Sequence, residues 1–179
     1  MSLDPKIRSN LSIPAICAPM FLVTGPALVR EACKAGVIGG LPRQNARDLE
    51  TFEAWLAEIN TALTAHREAF PNARIAPIAV NYPTRMAPDD LAANMALCQK
   101  YGVEIIISVG GDPTELVARV HDFGGKVFHD ITSLRFAERP SRPVPTASTA
   151  SARAAAATRA RSATWRSSPA SAPSMTEPS

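Results

Sequence analysis

Residues 75–111 read IAPIAVNYPTRMAPDDLAANMALCQKYGVEIIISVGG, and this stretch decides the fold. Ile75 to Val80 is a short apolar run, too short for a core helix, and it ends in Asn81-Tyr82-Pro83. Asp89 and Asp90 then open a helical pattern carrying Leu91, Met95 and Cys98 on one face, closed by Gly102. Glu104 to Val109 is a second apolar run, followed by the turn Gly110-Gly111-Asp112-Pro113. Strands that are apolar throughout and joined by an amphipathic helix are parallel strands covered on both faces.

The same unit recurs on either side. Residues 15–23, Ala-Ile-Cys-Ala-Pro-Met-Phe-Leu-Val, predict a buried first strand that ends at a loop near Pro19. Gly25-Pro26 opens a helix with Leu28, Val29, Ala32 and Cys33, closed by Gly36. Val37 to Leu41 is the next strand, and Asp48 caps a long helix bearing Phe52, Trp55, Leu56, Ile59 and Leu63. Downstream, Thr114 begins a helix with Leu116, Val117 and Val120, Lys126 to Ile131 is the fifth strand, and Ser133 to Arg139 starts a further helix. Five strands alternating with four complete helices give an α/β fold of about five β/α units. A doubly wound sheet and a partial (β/α)₈ TIM barrel both satisfy this pattern. No GxGxxG follows the first strand, which weighs against the dinucleotide fold. The unusual residues sit where strands end, and in a barrel those ends share the catalytic face. The expected domain is 1–139.

Composition sets bounds on function. The 179 residues carry a net charge of +3, yet 35 of the 39 residues from 141 onward are Ala, Ser, Arg, Pro or Thr. That tail holds five Arg and one Glu, so residues 1–140 are net −1 and the basic pI belongs to the tail. Nucleic acid is not an expected partner, though a basic interaction arm remains the alternative reading of the tail. Cys17, Cys33 and Cys98 have no metal spacing and read as reduced thiols, with no metal site expected. Met1 to Asn10 lacks an apolar signal core, and no apolar run approaches ~20 residues, so a cytoplasmic protein without a membrane span is expected. Nothing in the sequence sets the oligomeric state.

Taken in order, several segments resemble one family. Ala18-Pro19-Met20 follows the first strand and Asn81 the third. Ser108-Val109-Gly110 ends the fourth, and Val127-Phe128-His129-Asp130 lies on the fifth. With 32–40 (Ala-Cys-Lys-Ala-Gly-Val-Ile-Gly-Gly) and Asn45-Ala46-Arg47, they resemble the nitronate monooxygenases, also called 2-nitropropane dioxygenases. The resemblance spans nearly all of residues 11–139. It implies a (β/α)₈ barrel with non-covalent FMN, which oxidises alkyl nitronates with dioxygen to a carbonyl compound and nitrite. It also implies a cofactor site built from Ala18, Pro19, Met20, Asn81, Ser108, Gly110 and His129. The residue types suit that role. Pro19 fixes a turn and removes a donor, Asn81 offers donor and acceptor to a ring edge, and Gly110 admits close backbone approach. Each also has a plain structural reading: Pro19 ends a strand, Asn81 caps a turn before Pro83, and His129 is a satisfied strand histidine. Two other function classes stand beside this one: a flavin-dependent enoyl-acyl-carrier-protein reductase on the same barrel, and a non-catalytic fragment.

The family's proposed catalytic histidine lies in a Gly-Gly-His-x-Gly stretch after the sixth strand, and no such stretch occurs here. No catalytic residue is therefore assigned. Reading-frame slippage accounts for its loss. Shifted by one base, the run 153–161 can be read Gly-Ala-Gly-Gly-Gly-Gly-His-Ser-Gly, and 140–148 can be read Ala-Ile-Glu-Ala-Gly-Ala-Asp-Gly-Leu. The expectation is a truncated copy with a disordered, frameshifted tail over 140–179. Lacking three of eight strands, it is expected to be unstable or aggregating, and inactive.

Overall fold

Side-chain alternation along parallel strands sorts apolar residues into two layers. The computed structural model describes residues 4–130 of the chain. Its elements are α1 (Pro5–Ser9), β1 (Ile16–Cys17), α2 (Pro26–Lys34), β2 (Ile38–Pro42), a 3-10 turn (Arg43–Asn45), α3 (Leu49–Ala69), β3 (Ile78–Pro83), α4 (Pro88–Lys100), β4 (Ile105–Val109), α5 (Thr114–Asp122) and β5 (Lys126–Asp130). Every neighbouring pair of strands is parallel, and the order is β1-β2-β3-β4-β5. A doubly wound sheet reverses its strand order at a switch point. This sheet does not. It is a curled half-barrel of α/β class, consistent with a partial (β/α)₈ barrel.

One layer lies between sheet and helices. Leu41, Val80, Tyr82, Ile106 and Val127 from the strands meet Val29 and Cys33 of α2, Phe52, Leu56 and Ile59 of α3, Leu91 and Met95 of α4, and Leu116 and Val120 of α5. Removing such a side chain from water contributes about 1.5–3 kcal/mol each. α3 forms because Asp48 accepts a hydrogen bond from the Thr51 N–H (2.7 Å) and Phe52, Leu56, Ile59 and Leu63 fall on one face. It ends at Phe70, just before Pro71.

The second layer lines the concave side: Ile38, Ala79 and Ile105, with Ile107 and Phe128 packed against them. Ile7 and Leu11 close this layer from below. They come from α1 and the residues just after it, an element no sequence pattern announced. Asp4 caps α1 through the Lys6 N–H (2.9 Å) and pairs with Lys126 (3.2 Å), tying it to the start of β5. Among the described residues, β1 and β5 each pair on one side only.

Two expectations need correction. The first strand ends before Pro19 as expected, but it is only Ile16–Cys17 and is exposed to half-buried rather than buried. Pro19 has no N–H to continue the ladder, and Leu22 turns the chain at φ +62°. Phe21, Leu22 and Val23 are exposed in consequence. The third strand begins at Ile78 rather than Ile75, since Pro77 cannot donate, and it runs through Asn81 to Pro83. The helix begun at 133–139, the tail at 140–179 and the reading-frame shift lie outside the described residues.

Candidate functional site at the carboxyl edge of the sheet

Because all five strands run the same way, their C-terminal ends share one edge. The loop 18–25 leaves β1 there, Asn81 lies near the end of β3, Gly110 follows β4, and His129 lies near the end of β5. Register then separates these residues by face. Pro42, Asn81, Ile107 and Phe128 align across β2 to β5 and point to the concave side with the second layer. Tyr82, Ser108 and His129 align one position further on and point toward the helices. The sheet therefore brings Ser108 and His129 together and sets Asn81 on the opposite face.

Ser108 is fully buried, and its Oγ lies 2.9 Å from His129 Nδ1. Burial lowers the imidazole below its ordinary pKa, while the carboxylates of Asp130 and Asp112 pull the other way. Asp112 is itself held below the usual carboxylate range by the hydroxyl and the N–H of Thr114, which it meets at the start of α5. Ser108 and His129 thus form a hydrogen-bonded pair under the β4–α5 turn, with burial weighing against the charged imidazole.

Asn81 is buried, and its Nδ2 donates to the Ile107 carbonyl (3.1 Å). Among the described residues no donor reaches its Oδ1, so an acceptor remains available on the concave side. Gly110 and Gly111 have φ of +72° and +59°, a left-handed conformation open to glycine at no steric cost. A Cβ on Gly110 would meet nothing within 4 Å, so the backbone here faces open space. The turn is fixed from β3: the Thr84 hydroxyl bonds the Gly110 carbonyl, and the Thr84 N–H donates to the Val109 carbonyl (3.1 Å).

Ala18 and Met20 are exposed and Pro19 is half-buried. Pro19 rests on β2. A Cβ on Gly40 would lie 2.8 Å from both Pro19 Cδ and the Cys17 carbonyl oxygen. Sequence reasoning assigned no role to Asn45, Thr84 or Asp112. Asn45 is the most connected of them: its amide makes three hydrogen bonds to the backbone at Met20, Leu22 and Thr24. Those partners lie more than 20 positions away, a separation that leaves no periodic trace.

No family model matches the chain, and no curated protein matches it. Among solved structures it is similar to FabK from Thermotoga maritima, at 20% identity and a TM-score of 0.50, over 77% of this chain and 42% of that one. It is also similar to a methionine-to-alanine mutant of FabK from the same organism, at 17% identity and a TM-score of 0.55, over 75% of this chain and 41% of that one. The chain thus spans about two fifths of the length of the structures it resembles. At this identity the likeness bears on the fold alone: five parallel strands with four intervening helices among the described residues, consistent with part of a (β/α)₈ barrel.

Proposed function

We propose that this chain carries part of the flavin site of an FMN-dependent oxidoreductase of the nitronate monooxygenase type. The observation that supports it is the shared carboxyl edge. The parallel order places Ala18-Pro19-Met20, Asn81, Ser108-Val109-Gly110 and His129 at one end, where barrel enzymes do their chemistry. The donor set suits the group. Among the described residues Asn81 Oδ1 is an unengaged acceptor on the concave side, and the Gly110 backbone lies open to a planar ring.

In this reading Pro19 and Met20 border the ring, Asn81 holds its polar edge, and the backbone at Gly110 admits it at close range. Ser108 and His129, on the other face, brace the turn that carries Gly110. The bound cofactor would supply electron transfer between the alkyl nitronate and dioxygen, yielding a carbonyl compound and nitrite. Phosphate in such barrels is commonly held by loops after strands seven and eight. Those loops are not among the described elements. In this reading the described residues serve the ring of the cofactor rather than its phosphate.

Titration of the full chain with FMN and with riboflavin tests this. Saturable binding of both is expected, because they share the ring that the described residues would hold. No saturable binding of either would refute the proposal.

A second reading, a flavin-dependent enoyl-acyl-carrier-protein reductase using NAD(P)H, is favoured by the likeness to FabK. The bound flavin's absorbance separates the two. A change on adding nitronate supports the first, and a change on adding NADPH supports the second.

A further inference from the structure

The β1–α2 loop exposes three consecutive apolar side chains: Phe21 at 60%, Leu22 at 80% and Val23 at 69%. Apolar groups left in water gain nothing from burial, and contiguous ones mark sites of contact. This loop is held in place. Asn45 Oδ1 accepts from the Leu22 N–H (3.0 Å), and its Nδ2 donates to the carbonyls of Met20 (3.1 Å) and Thr24 (2.8 Å). The buried Thr24 adds a fourth tie, its hydroxyl accepting from the Met20 N–H (3.0 Å). Leu22 is also kept at φ +62°, a conformation leucine rarely adopts, so the surroundings impose it.

We infer that Asn45 is a positioning residue. It locks residues 20–24 as a pre-formed apolar contact for the alkyl chain of the substrate, an inference that rests on the flavin oxidoreductase reading. A carboxamide suits the task, with two donors and an acceptor in one plane. Aspartate would keep the bond from Leu22 and lose the other two. A contact ordered before binding saves the entropy of ordering it afterwards. Each methylene laid on it should tighten binding by up to about fourfold.

The test uses the full chain with FMN present. Primary alkyl nitronates from ethyl to hexyl are titrated against the parent chain, Asn45→Ala, Asn45→Asp and Leu22→Gly. Backbone hydrogen exchange is followed in peptides covering 18–25. In the parent chain, affinity should rise two- to fourfold per methylene. Asn45→Ala should abolish that slope and speed exchange at 20–24 at least tenfold, with Asn45→Asp between the two. Leu22→Gly, which accepts the left-handed turn, should keep the protection and lose much of the slope. An Asn45→Ala chain that exchanges faster but keeps the slope would overturn the inference, since that is a purely structural role. A parent chain that binds FMN and shows no slope would also overturn it. A slope without FMN binding would sustain the loop and sink the flavin reading instead.

Discussion

Gly40→Ala probes the join between sheet and loop. The new Cβ would stand 2.8 Å from Pro19 Cδ and from the Cys17 carbonyl oxygen, and 3.0 Å from Pro19 N. Optimal contacts between carbon atoms lie at about 3.5–4.0 Å, so the neighbours must yield by about 0.7 Å. None of the three can swing aside, because one is a backbone carbonyl and two belong to a proline ring. Overpacking of this kind costs about 1–3 kcal/mol. For a chain this size that lowers Tm by roughly 3–5 °C per kcal/mol. The strain is relieved by pushing Pro19 off β2, and Pro19 borders the proposed flavin ring. Gly40→Ala should therefore lower both Tm, read by circular dichroism, and flavin affinity, read by fluorescence quenching. Leu63→Ala is the control. It empties a buried site near the far end of α3 at a cost of about 2–5 kcal/mol, with no reason to change flavin affinity in the folded fraction. If Gly40→Ala left Tm unchanged, or if both variants weakened flavin equally at matched stability, the reasoning about Pro19 would be wrong.

Three further outcomes follow from the core and its titrating groups. Phe52→Ala removes a fully buried ring that meets Tyr82 edge-on (centroids 6.2 Å) and lies under the Arg43 guanidinium (5.0 Å), and should cost about 3–5 kcal/mol in urea unfolding. Burial pushes the Cys33 thiol up to about 11 and the Cys98 thiol up to about 12, so a thiol reagent at pH 8 should label Cys17 first and the other two only on unfolding. The raised thiols favour the folded state fully below their ordinary value near 9, and that contribution should fade as pH rises through about 11. Since burial depresses His129, its imidazole should titrate below 6.5 by NMR. Its contribution to stability should be present above 6.5 and fade as pH falls through the folded-state value.

Much of the fold was legible because a parallel sheet writes itself plainly. The runs at 75–80 and 104–109 are apolar on both faces, and the helix between them shows one apolar stripe. What local pattern could not supply was pairing across distance. The segment 15–23 looks like its neighbours in composition, yet Pro19 and the left-handed Leu22 turn it out of the sheet after two residues. α1 is anchored by a cap at Asp4 and by Ile7 alone within the helix, too few residues to show a period. At the site, strand order could be read and so the shared edge could be expected. Face was harder. Asn81 and Ser108 both end strands, but they differ by one register step, which places them on opposite sides of the sheet. Asn45 shows no role in the local pattern, because its three side-chain bonds go to a loop more than 20 residues earlier.

The most direct test of the account is a hydrogen-exchange footprint of the full chain with and without FMN. Protection should appear in peptides containing 18–20, 81–83 and 108–112, at the carboxyl edge. Peptides at the opposite end, 4–11 and 102–104, should not change. Protection confined to that opposite end, or none anywhere at saturating flavin, would contradict the placement of the cofactor on which the proposed function depends.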